Sequence, residues 1–132
     1  MIMTQEEEKN LLLKDLCTRL PYGIRYRHFT WNDEYGETYI AAQIYSINTD
    51  GYVKNCYDDE TVYIDNVRPY LFPLSSMTEE QKKEYQYITE RWMNDPAYSI
   101  SDSIDWLNKH HFDYRGLIEK GLAIDATGLN IY

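Results

Sequence analysis

The sequence predicts an α+β fold: a small antiparallel sheet of three or four strands, packed with an N-terminal helix and about three C-terminal helices. Three observations point to it. The first twenty residues carry helical periodicity, residues 24 to 64 carry β-branched and aromatic residues cut by short polar turns, and helix-start signals return after residue 75.

The first helix is opened by Thr4, with Glu7 completing a capping box and Glu6, Glu7 and Glu8 in the first turn, where the helix dipole favours acids. Leu13, Leu16, Cys17 and Leu20 follow helical spacing and predict its buried stripe, and Pro21 stops it. Ile24 to Phe29 alternates as a strand. Thr38 to Ile47 reads as a longer strand, Asn48-Thr49-Asp50-Gly51 as a hairpin turn, Tyr52 to Cys56 as the return, and Thr61 to Ile64 as a fourth strand after the acidic turn Asp58-Asp59-Glu60. Val67 to Leu74 holds two prolines, so it is expected to be extended, to pack across the core and not to be a central strand. Thr78 and Gln81 form a second capping box for a helix reaching about Trp92 or Asn94, with Tyr85, Ile88 and Trp92 as its stripe. A third helix is capped by Ser99 or Ser101 and carries Ile104 and Leu107. A fourth starts at Asp113 and ends at Gly121, and the tail 122–132 is a final strand or a loose end. Ile40, Ala42 and Ile44 are the expected core face of the long strand, joined by Leu13, Leu16, Leu20, Leu71, Ile88, Trp92, Leu107 and Ile118.

The chain of 132 residues has the length of one domain, so residues 1–132 are expected to form a single globular unit. Thirteen Lys and Arg against 22 Asp and Glu give a formal charge of −9. That balance argues against direct binding of duplex DNA or of an anionic membrane. No run approaches the ~18 apolar residues of a membrane span, and the opening MIMTQEEEKN is acidic where a secretory signal is basic, so a cytoplasmic location is expected. Cys17 and Cys56 belong to no CxxC pair or zinc-spaced cluster and are expected to be reduced, buried or half-buried thiols.

Two blocks, Val67-Arg68-Pro69-Tyr70-Leu71-Phe72-Pro73-Leu74-Ser75-Ser76-Met77-Thr78-Glu79-Glu80 and the segment from Trp106 to Ala123 (WLNKHHFDYRGLIEKGLA), resemble a family of small proteins of gut bacteria and their phages and mobile elements. The family carries no established activity. The resemblance implies a genomic setting, and with it an accessory role such as inhibiting a host protein or sequestering a signal molecule.

Chemistry-bearing patterns are sparse. There is no phosphate loop, no Gly-x-Ser-x-Gly elbow and no EF-hand ladder, and the carboxylates at 33–34, 58–60, 102 and 105 read as solvated acids. No cofactor, no metal ligand set and no catalytic residue is expected. His110-His111 with Asp113 is the most enzyme-like cluster, yet adjacent helical histidines point about 100° apart and cannot easily share one metal. The strand at 24–29 runs against the global charge. Arg25, Arg27 and Phe29 share one face, Ile24, Tyr26 and His28 the other. Paired guanidiniums beside tyrosines can grip a phosphate or a carboxylate, so Arg25, Tyr26, Arg27, His28 and Tyr70 are the candidate partner- or ligand-binding residues. The 14 tyrosines, including Tyr39, Tyr45, Tyr52 and Tyr63 on strands, are expected to be half-buried with wet hydroxyls, or to form a docking face. The leading functional expectation is a non-enzymatic interaction protein that binds a host protein, a basic one by charge complementarity. A binder of a nucleotide-like anion is the alternative, and an enzyme using His110 or His111 is the third. Oligomeric state is not legible.

Overall fold

The computed structural model describes residues 2–58, 60–95 and 100–132, with the Trp92 side chain outside the described atoms. It is a mixed α+β structure, as the residue pattern predicts. Helix α1 (Gln5–Arg19) precedes a curled antiparallel meander of β1 (Arg25–Asn32), β2 (Gly36–Ile47), β3 (Tyr52–Asn55) and β4 (Thr61–Tyr63). Strand β5 (Tyr70–Pro73) then leads into α2 (Glu79–Asn94) and α3 (Ile100–Lys109). Strands β6 (Phe112–Asp113) and β7 (Ile124–Asp125) flank β5 in a second, parallel sheet.

Both capping boxes form. Thr4 Oγ1 accepts from the Glu7 N–H at 3.1 Å, and Thr78 Oγ1 accepts from the Gln81 N–H at 3.1 Å. The buried face of α1 is Leu12, Asp15, Leu16 and Arg19, rotated by one residue from the expected stripe. Leu13 is half-buried and Cys17 is exposed. The cause is a buried ion cluster: Arg19 Nε donates to Asp15 Oδ2 at 2.8 Å, and Arg115 Nη1 donates to Asp15 Oδ1 at 2.7 Å. Apolar periodicity cannot register a helix whose inward side holds paired charges. Cys56 is also exposed, so neither thiol is buried.

The main core lies between α1, the inner face of the meander and β5. Of the expected core, Leu16, Ala42, Ile44, Leu71 and Leu107 are buried, and Leu13, Leu20, Ile40 and Ile118 pack around it partly exposed. A second cluster of Trp106, Leu107 and Phe112, with Tyr85 and Ile88 against it, joins α2 to α3.

The proline-flanked segment is extended, but β5 is the middle strand of the parallel sheet. Pro69 precedes the strand and Pro73 ends it, so the missing N–H groups fall at its limits. Between them Phe72 N–H donates to the His111 carbonyl at 2.8 Å, and Leu71 accepts from Ala126 N–H at 2.8 Å. On α3, Ser103, Trp106 and Leu107 face inward while Ile104 is exposed, which moves the expected stripe. Ser101 lies inside α3, and Ser99 lies outside the described residues. The expected fourth helix does not form. Asp113 does accept from the N–H groups of Leu117 and Ile118 at 2.9 Å each, but Gly116 sits at φ +73, a left-handed position that interrupts a helical path. The tail is ordered: Ile124 pairs with Tyr70, and Tyr132 Oη donates to the Tyr70 carbonyl at 2.8 Å. Among the described residues, no helix is long and apolar enough to cross a membrane.

Candidate functional site

Strand β1 builds two surfaces from one alternation. Tyr26 and His28 turn into the core, while Arg27, Phe29 and Trp31 turn out. The register with β2 places Phe29 opposite Tyr39, and their rings meet edge to face at 5.9 Å. The Arg27 guanidinium lies over the Tyr39 ring at 5.0 Å. Tyr45 continues this face along β2 and Tyr52 starts β3. Exposure runs from 44% at Phe29 to 69% at Tyr45; Tyr52 at 47% and the partly buried Tyr63 keep the half-burial expected of strand tyrosines, while Tyr39 and Tyr45 are more open. The outer face thus carries Phe29, Trp31, Tyr39, Tyr45 and Tyr52, with Arg25, Arg27 and Lys54 beside them.

Inside, four polar groups close a network. Tyr26 Oη and His28 Nδ1 are 3.0 Å apart, and His28 Nε2 lies 3.0 Å from Asp58 Oδ2. Asn55 Nδ2 donates to Tyr26 Oη at 2.9 Å and to Asp58 Oδ1 at 3.2 Å. Donor and acceptor accounting assigns the hydrogens. With Asn55 donating to the phenol oxygen, the Tyr26 hydroxyl donates to Nδ1 and the ring hydrogen sits on Nε2, facing Asp58. Asn55 Oδ1 also accepts from the N–H groups of Tyr57 and Asp58 at 2.8 Å each, which folds the β3–β4 loop so that Asp58 faces the ring. Burial pushes the Tyr26 phenol up against the opposing Asn55 bond. At Asp58 desolvation works upward, but the hydrogen bonds from His28, the Glu60 N–H and Asn55 together hold the carboxyl below its ordinary range. Glu60 Oε2 approaches Nε2 at 3.6 Å from the solvent side, so one imidazole nitrogen and two carboxylates converge within 4.8 Å. No metal ligand set was expected from sequence, because His28 and the acids lie thirty residues apart and only strand pairing joins them. A cleft of about 270 Å³ opens beside them, lined by Arg27, Phe29, Tyr39 and Arg68 along with His28 and Glu60.

The five residues selected from sequence therefore divide. Arg27 is exposed on the outer face, and the half-buried Arg25 reaches across β2 to the Ala41 carbonyl at 3.3 Å. Tyr26 and His28 are interior. Tyr70 is buried at 7% exposure, where desolvation raises its phenol pKa, and it lines no described cleft beside the arginines.

His110 and His111 also diverge, as their adjacency predicts. His110 packs on Trp106 with centroids 4.4 Å apart, and His111 stacks on Tyr132 at 3.6 Å. Burial, then the positive charge of Arg19, lowers the His111 pKa to about 4, and burial lowers His110. Asp113 spends both oxygens on backbone N–H groups and reaches neither imidazole. A cleft of about 480 Å³ is lined by both rings, Thr78, Gln81 and Tyr132. Comparison with protein-family models, with curated proteins and with solved structures finds no match to this chain.

Proposed function

We propose that this chain is a non-enzymatic binding protein that docks a partner protein on the outer face of its four-stranded sheet. One observation carries the reading: Phe29, Trp31, Tyr39, Tyr45 and Tyr52 stand exposed together on that face. Large exposed aromatics gathered on one surface are the composition of binding hot spots. The charges beside them are Arg25, Arg27 and Lys54, against Glu37 opposite Trp31, Asp33, which accepts from the Trp31 indole N–H at 3.2 Å, and Glu60 in the cleft with Arg27, Phe29 and Tyr39. The other acids are distributed over α1, the turns of the meander, α2, α3 and the C-terminal segment. The face is therefore mixed in charge and favours an apolar partner segment with acidic groups set against Arg25, Arg27 and Lys54, in place of the uniformly basic partner that net charge alone suggests. That the partner belongs to a bacterial host is a proposal resting on the family resemblance.

The test is quantitative capture from a bacterial lysate by the parent chain, by Trp31→Ala/Tyr39→Ala, and by an α2 surface variant, Lys83→Ala/Glu80→Gln. The expected result is a partner lost with the sheet-face variant, retained with the α2 variant, and weakened by salt. Capture that ignores the sheet-face substitutions overturns the reading.

A second reading rests on the 270 Å³ cleft, where Arg27 and Arg68 stand beside Tyr39 and Phe29. That arrangement suits a nucleotide-like anion, with a phosphate on a guanidinium and a base on a ring. A thermal-shift series with nucleotides at millimolar concentration tests it, since a bound ligand raises apparent stability and no shift removes the idea.

A further inference from the structure

We infer that His28, Asp58 and Glu60 form a binding site for a divalent transition-metal cation of the zinc class. The donors are one imidazole nitrogen and two carboxylate oxygens, the mixed set such cations take. Nε2 lies 3.0 Å from Asp58 Oδ2 and 3.6 Å from Glu60 Oε2. Atoms each bound at zinc–nitrogen or zinc–oxygen distance in a tetrahedron stand about 3.3 Å apart. The two distances from the imidazole straddle that value and the two carboxylates lie within 4.8 Å of each other, so the cation fits once the side chains draw in around it.

Two carboxylates that converge repel each other unless a cation lies between them. Among the described residues no Lys or Arg pairs with either one, and the His28 ring is the group they share. The surrounding contacts are those that orient metal ligands. Tyr26 Oη holds Nδ1 of a ring that is 2% exposed, and Asn55 Nδ2 holds the second oxygen of Asp58. Glu60 is 69% exposed at its side chain and closes the set from solvent, leaving a coordination position open toward the cleft of Arg27 and Arg68.

Binding conserves the ring proton. The imidazole hydrogen moves from Nε2 to Nδ1, where it donates to Tyr26 Oη, and the freed Nε2 lone pair forms the bond to the cation. The Tyr26 oxygen then accepts from Nδ1–H as well as from Asn55 Nδ2, and its own hydroxyl hydrogen turns away from the ring. Both carboxylates bind as anions, so one positive charge of the cation offsets each.

The experiment uses the full chain stripped with a chelator and titrated with zinc chloride, with magnesium chloride as a parallel arm. One zinc per chain is expected, tighter than about 0.1 mM. Magnesium, which takes oxygen ligands, is expected neither to bind comparably nor to compete. Glu60→Gln and Asp58→Asn are each expected to weaken zinc by about tenfold or more, with circular dichroism confirming that the variants fold. Long-range proton–nitrogen correlation should show His28 switching from the Nε2–H to the Nδ1–H form. Glu60→Gln acts at an exposed side chain, so the test does not depend on the buried histidine surviving mutation. Absence of stoichiometric zinc binding, equal affinity for magnesium, either variant staying within about twofold of the parent, or an unmoved His28 ring would each overturn the site.

Discussion

His111 occupies a left-handed backbone position at φ +62, stacks on Tyr132, and leaves Nδ1 buried without a hydrogen-bond partner. Charging this ring is costly, which is why its pKa falls from 6.5 to about 4. Because the folded value is the lower one, the unfolded chain takes up the proton first as pH falls. Stability is therefore fully present above pH 6.5 and is lost as pH drops toward 4, by up to about 3 kcal/mol. The neighbouring His110 shifts in the same direction and adds to the slope. His111→Asn keeps a residue that tolerates positive φ and removes the titrating ring. Urea unfolding at pH 7 and pH 4.5 should show a clearly flatter acid limb in this variant. An unchanged limb would assign the loss to other groups. The pair of histidines is plain in the sequence, but the burial of His111 is not, because it depends on the tail folding back onto position 111.

At the scale of elements, local signals succeed where the deciding contacts are local. Both capping boxes join residues three apart, and both form as the sequence predicts. The alternation of β1 likewise separates Tyr26 and His28 from Arg27 and Phe29 without help from the rest of the chain. The absent fourth helix shows the opposite case: Asp113 holds N–H groups four and five residues on instead of capping a helix, and the chain held there turns left-handed at Gly116. Gly116→Ala tests that account. The new Cβ would approach the Lys120 ammonium at 3.1 Å, a flexible end that can withdraw, so the cost comes from the backbone. We expect a loss of about 1–2 kcal/mol in chemical denaturation, with no gain in helical circular dichroism. An increase in helix content would mean that glycine alone prevents the helix.

Across the whole molecule, Arg19 ties the beginning of the chain to its end. It is 0% exposed, pairs with Asp15, and donates through Nη2 to the Phe112 carbonyl at 2.7 Å, ninety-three positions away. Asp15 in turn holds Arg115. Arg19→Ala should cost about 3–5 kcal/mol, measured by urea unfolding, because it opens a cavity and unbalances a buried ion cluster. A loss below about 1 kcal/mol would make the cluster incidental. The same scale separates the charges from the aromatics. Composition shows an acidic, tyrosine-rich chain, while folding spreads the acids over several elements and collects exposed aromatics beside Arg25, Arg27 and Lys54. By itself the sequence determined the fold class, the caps, the meander and the two faces of β1, since each follows from propensity and spacing within a few residues. Tertiary structure alone decided the inward charges of α1, the central place of β5, the order of the tail and the meeting of His28 with Asp58 and Glu60. Those features depend on contacts between residues distant in the chain, and periodicity within one segment holds no information about what lies across from it.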